Sequence, residues 1–261
     1  MTTTIAVAGK GGVGKTTFCA LVLRHLLKTG DGPMLAVDAD ANTNLNEVLG
    51  VEVDKTVASL RDELLREMGS LPPTMTKETW VEYQLATAIV EESGYDLVAM
   101  GKAELSGCYC YVNNLLKRYL ELLQGNYRYV VMDNEAGMEH ISRGLVNDVD
   151  VLFVLTDPSP RGILTAGRIA DLVEELKRKV RRVAMIVSRV PGRELAPILR
   201  EKVDELGIEF AGVLPADDEV VEFDLEGRSA LELPDDNPVV AAVDQILDRF
   251  GIGSGAAAGA A

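Results

Sequence analysis

A three-layer α/β/α fold, with helices on both faces of a mostly parallel sheet, is the class this sequence predicts. Short runs rich in aliphatic and β-branched residues recur along it, at Ile5–Ala8, Leu35–Val37, Leu97–Met100, Tyr129–Met132, Val151–Leu155, Val183–Val187 and Phe210–Leu214. They are apolar at successive positions instead of alternating, as strands covered on both faces are. Helical patterns separate them, over Lys15–Lys28, Val57–Met68, Lys77–Glu92, Val112–Leu123, Ile163–Val180, Leu195–Leu206 and Pro238–Phe250. The 261 residues are 47% apolar, with neither an internal repeat nor a Ser/Pro-rich linker in the first 250. One domain over 1–250 is therefore expected, followed by a flexible Gly/Ala-rich tail over 251–261 with too little apolar surface to pack.

The first strand runs into Gly9-Lys10-Gly11-Gly12-Val13-Gly14-Lys15-Thr16-Thr17, which fits GxxxxGK[ST] between a strand and a helix. Glycines there let backbone N–H groups turn toward phosphate oxygens, and the helix beginning near Lys15 presents its positive end. Lys15 is the cation for the outer phosphates and Thr16 the Mg²⁺ ligand. The fold class is thus a P-loop NTPase, and the absence of NKxD and SAK signatures favours ATP over GTP. Lys10 is a second cation that the motif does not require. Cys19, in the apolar pattern of the following helix, reads as core filler, and His25 as an ordinary helix residue.

The second strand ends in Val37-Asp38-Ala39-Asp40, placing two carboxylates at the strand edge where ligands of open α/β sheets collect. The Tyr129–Met132 strand ends in Asp133, as a Walker B strand does, and Asn134-Glu135-Ala136-Gly137 follows. Gly137 is placed for its N–H to meet a γ-phosphate. After Leu97–Met100 comes Gly107-Cys108-Tyr109-Cys110. Two thiols two residues apart can point to one side of an extended segment, and a symmetric dimer would bring two such pairs together as a Cys₄ site suited to Zn²⁺ or Ni²⁺. Buried cysteines without metal, and a redox disulfide, are the other readings of the same pair.

The GKGGVGKTT segment is similar to the signature of the family that includes MinD, ParA, the nitrogenase iron protein and the arsenite-pump ATPase. That resemblance implies a homodimer in which Lys10 reaches the partner's nucleotide. It also implies a first switch in which Asp40 positions water while Asp38 supports the Mg²⁺ shell, and a second switch over Asp133–Gly137. Adenine would be held around Ser188, Arg189, Pro215 and Asp217. The iron–sulfur donors of that family carry a cysteine seven positions after the second-switch aspartate, where this chain has His140, so a four-thiolate cluster is not expected.

GKGGVGKTT together with DNEAGMEHISR at 133–143 and GCYC resembles the CooC-type accessory ATPases of nickel insertion into carbon monoxide dehydrogenase, from Ile5 to Phe250. This implies ATP-dependent dimerisation, a metal shared by Cys108 and Cys110 of two subunits, and delivery of nickel to the dehydrogenase as client. The alternatives are a MinD/ParA-like switch ATPase that regulates a protein partner, and maturation of a related nickel enzyme such as acetyl-CoA synthase. A net charge of −15 disfavours nucleic acid and anionic lipid, and the tail carries no lysine for a basic membrane helix. With no leader pattern and no long apolar span, a cytoplasmic protein is expected.

Overall fold

The computed structural model describes residues 2–67, 76–102, 118, 120–134, 148–175 and 179–253. Among the described residues eight strands form one sheet: β1 (Thr3–Gly9), β2 (Met34–Asp38), β3 (Ile89–Glu92), β4 (Tyr95–Ala99), β5 (Tyr129–Asp133), β6 (Asp148–Thr156), β7 (Lys179–Val190) and β8 (Glu209–Pro215). Their order is β3-β4-β2-β5-β1-β6-β7-β8, parallel throughout except for β3 against β4. Successive residues of a strand point to opposite faces, so Ile5 and Val7 of β1 join one core and Ala6 and Ala8 the other. The first core is closed by α1 (Lys15–Thr29), α2 (Leu45–Leu49), α7 (Asp218–Leu225) and α8 (Pro238–Arg249). The second is closed by α3 (Val57–Glu67), α4 (Lys77–Thr87), α5 (Pro160–Glu175) and α6 (Pro197–Glu205). This is the expected three-layer arrangement.

Two helix expectations need correction. The pattern over Lys77–Glu92 is a helix only to Thr87; Ile89–Glu92 is an edge strand, antiparallel to β4. Its β-branched Ile89 and Val90 pair with Val98 and Leu97, and Gly94, at φ +98°, closes the hairpin. The pattern over Ile163–Val180 begins earlier, at Pro160, and ends at Glu175, because Val180 pairs with Val149 in the sheet. Two short helices, α2 and α7, are additions to the expected set. Of the helix expected over Val112–Leu123, residues 118 and 120–123 are described, and helical.

Packing also continues past the boundary expected at 250. Ile252 is 3% exposed within the first core, and its carbonyl lies 3.1 Å from Nε2 of buried His25, whose Nδ1 lies 2.7 Å from Asp244. His25 is therefore a clasp between α1, α8 and the segment at Ile252, and 254–261 lie outside the described residues. Among the described residues no helix is long and apolar enough to cross a membrane.

Phe153 of β6 sits at the centre of the first core, fully buried, with its ring 5.4 Å from Phe18 of α1 and 5.0 Å from Phe250 at the end of α8. Truncation would leave a cavity that two helices and a strand cannot all collapse into. Phe153→Ala is expected to cost about 3–5 kcal/mol, read as a lower urea midpoint at unchanged slope; a loss under 1 kcal/mol would show that this layer repacks freely.

Candidate nucleotide site

Strands β2, β5 and β1 are neighbours in register, pairing Asp38 with Asp133 and Asp133 with Val7. Three carboxyl-terminal strand ends thus meet at one edge. At Gly9 the chain leaves β1 with φ +150°, and a Cβ there would lie 2.3 Å from the Leu155 carbonyl oxygen of β6, so only glycine fits. Gly12 and Gly14 adopt φ +77° and +87° with open space around them, which turns the loop without placing side chains over it. Among the described residues no side chain caps α1 at Gly14, where the first-turn amide groups could meet a ligand.

Lys15 is buried, and its Nζ donates to the Lys10 carbonyl across 3.4 Å, folding the ammonium back into the loop. Lys10 itself is exposed. From β7, the buried Ser188 hydroxyl approaches the Val13 carbonyl at 2.7 Å and the Thr156 carbonyl at 3.1 Å, tying the loop to the sheet.

Asp38, fully buried, accepts the Asp40 N–H on Oδ1 (3.0 Å) and the Leu45 N–H on Oδ2 (2.9 Å), bracing both ends of the Asp40–Asn44 turn. Burial pushes its carboxyl above the usual range, against the pull of those amides. Asp40 Oδ1 accepts the Asn42 N–H at 2.8 Å and the Asn42 side-chain amide at 3.1 Å. Asp133 is 2% exposed and pushed up to about 6, first by burial and then by the charges of Asp38 and Asp40; the Thr16 hydroxyl and Lys15 act in the other direction. Among the described residues its buried Oδ1 has no hydrogen-bond partner. An orphaned carboxylate oxygen beside a threonine hydroxyl is the donor set of a hard divalent cation, so these residues fit Mg²⁺.

The glycine loop forms one wall of a cleft of about 820 Å³ that continues past Asp40 to Arg189, Phe223 and Arg228. Of the residues expected to hold nucleotide, Gly11, Gly12, Gly14, Lys15, Thr16, Thr17, Asp40 and Arg189 line it. Arg189 does so from a left-handed backbone, φ +55°. Ser188 is engaged behind the loop instead. Pro215 is buried, and Asp217 caps α7, its Oδ1 accepting from the Val220 N–H and the Asn237 amide. Cys108, Cys110, Gly137 and His140 lie outside the described residues. Among those that are described, no group of three or more His, Cys, Asp or Glu suits a metal ion. The sequence reading missed Phe223 and Arg228, which belong to no motif; the one signal was Asp217 as a helix cap ahead of an apolar run.

Residues 4–230 match the CobQ/CobB/MinD/ParA nucleotide binding domain. The chain is similar to an uncharacterised ATP-binding protein of Methanocaldococcus jannaschii, 42% identical over 248 residues, 94% of this chain and 97% of that one. It is also similar to the carbon monoxide dehydrogenase accessory protein CooC of Rhodospirillum rubrum, 28% identical over 240 residues, 88% of this chain and 89% of that one. Among solved structures, the MinD cell division protein of Aquifex aeolicus aligns at TM-score 0.67 with 24% identity, covering 95% of this chain and 96% of that one. A ParA family ATPase of Chlorobium tepidum aligns at 0.70 with 21% identity, covering 94% and 98%. These structures share the fold, a P-loop NTPase with a mostly parallel sheet between helical layers.

The raised pKa of Asp133 makes a stability prediction for the nucleotide-free chain. Between pH about 4 and 6 the folded state binds a proton that the unfolded state has released, so stability falls as pH rises through that window and the penalty persists above it. Asp133→Asn removes the penalty. Melts in EDTA should place the variant above the native chain at pH 7, by roughly 3 kcal/mol, with the gap closing toward pH 4; a gap that ignores pH would contradict this account.

Proposed function

The chain belongs to the CobQ/CobB/MinD/ParA nucleotide-binding family and is an ATPase of that class, and we propose that it is a dimerising maturation ATPase assisting nickel insertion into carbon monoxide dehydrogenase. What carries the finer reading is the likeness to CooC over 88% of this chain, joined to the Cys108-Tyr109-Cys110 pair. A MinD-like switch acting on another protein partner is the second reading, supported by 26% identity to Bacillus subtilis MinD over 231 residues.

In the proposed cycle the loop amides and Lys15 bind the triphosphate, and Lys10 meets the nucleotide of a second subunit. Thr16, with Asp133 behind it, would hold Mg²⁺, which would supply charge neutralisation at the outer phosphates. Asp40 orients the attacking water, and positioning and charge then suffice, with no covalent intermediate on the protein. Loss of the γ-phosphate frees the Asp40–Asn44 turn and the segment after Asp133. Nickel is the cargo, held between Cys108 and Cys110 of two subunits and passed to the client.

Three variants separate these roles. Lys15→Ala should lower ATP turnover by about 100-fold or more. Asp40→Ala should retain ATP binding, slow hydrolysis by about 100-fold, and accumulate an ATP-bound dimer visible by light scattering. Cys108→Ala with Cys110→Ala should keep ATPase activity while losing one Ni²⁺ or Zn²⁺ per two chains by mass spectrometry under native conditions. Undiminished metal binding in the double variant would rule out the cysteine assignment.

A further inference from the structure

The cleft continues well beyond the glycine loop, and its far end is built by a helix stop. Helix α7 ends with Gly227 at φ +65°, and the Arg228 N–H donates to the Phe223 carbonyl at 2.9 Å. That is the Schellman geometry, in which the residue after the left-handed glycine is laid over the side chain five positions earlier. Here the pair is Arg228 on Phe223, with the guanidinium carbon 3.7 Å from the ring centroid. Phe223 is anchored, 5% exposed, in the first core. Among the described residues Arg228, half exposed, has one other partner, Glu226, at 3.4 Å. A flat cation is thus held against an aromatic ring in the wall of the nucleotide cleft, with Val48 of α2 also lining that cleft. A helix stop alone needs only an apolar contact at this place, and an aliphatic side chain would make it.

We propose that Arg228, backed by Phe223, is the base-side wall of the ATP cleft, and that its guanidinium plane stacks on the purine. The proposal rests on the ATPase reading and adds a residue that determines how the base is held. Every purine presents a π face to a stacked guanidinium, so this contact supplies affinity for the base and not discrimination between adenine and guanine. It lies at the opposite end of the ligand from the bond that breaks, so it should change binding and leave the chemical step alone.

The test compares native, Arg228→Ala and Arg228→Lys chains by calorimetric titration with ATP and with inorganic triphosphate, alongside steady-state ATPase kinetics. Arg228→Ala should weaken ATP binding about tenfold and raise KM similarly, with kcat within twofold of native and triphosphate affinity unchanged. Arg228→Lys keeps the charge without the plane and should recover less than half of the loss. Unchanged ATP affinity in Arg228→Ala would overturn the proposal, as would an equal loss for inorganic triphosphate, which would assign Arg228 to the phosphates, or full recovery by lysine. A native chain that binds no ATP would instead sink the ATPase reading itself.

Discussion

The nucleotide end of the molecule depends on one piece of strand register. Because β2, β5 and β1 run parallel side by side, backbone hydrogen bonding sets Asp38 against Asp133 at buried positions just below the loop that begins at Gly9. The carboxylates do not attract one another; the sheet forces them together. Each then meets the cost of burial differently. Asp38 receives two backbone amides, so its oxygens are engaged and it becomes a brace. Asp133 keeps one oxygen unpaired and is the more poised of the two, with Lys15 and Thr16 facing it. A register slip of one residue would move both side chains to the opposite faces of their strands and leave the loop without its acidic floor.

Away from the site most of the buried surface is apolar, with Arg24, His25, Asp62 and Asn237 among the buried polar exceptions. Stability not recovered at the carboxylates has to come from packing, and the sheet supplies it on both faces, through Phe153 and the α1 stripe on one side and Trp80, Leu60 and Ile163 on the other. Strain at functional positions is carried by a well-packed surround in the same way here as in other active sites. Gly9 is the most constrained point, since the β6 carbonyl against it leaves no room for a side chain.

The sequence was most legible where one chemistry needs fixed spacing. The glycine loop, Lys15 and Thr16 are local in sequence and local in space, and the aspartates at strand ends follow from a parallel sheet. Legibility failed where local patterns are degenerate. Ile89 and Val90 continue a helical pattern as well as they begin a strand, and pairing with β4, a non-local event, decides between them. Ser188 stands at a strand end beside the site, but its hydroxyl is turned to the Val13 carbonyl, which no spacing rule reveals. The far wall of the cleft comes from the stop of α7, and a helix stop has the same sequence signature whether or not a ligand lies beside it.

The segment after that helix stop also joins parts that the motif treats as separate. Arg24 of α1 donates to the Leu231 and Leu233 carbonyls at 3.2 and 2.6 Å and pairs with Asp235, so the helix that begins at the glycine loop holds residues 231–235 in place. A few residues earlier, the Ser229 hydroxyl donates to the Leu49 carbonyl at 2.9 Å, at the end of α2. Helix α2 starts directly after the Asp40–Asn44 turn, and Asp38 grips its first amide at Leu45. A movement of that turn therefore cannot stay local. It must either break the Ser229–Leu49 contact or carry with it the strap that Arg24 holds. The three pieces lining the cleft, loop, turn and strap, are tied by hydrogen bonds to buried elements, which makes discrete rearrangement easier than gradual drift.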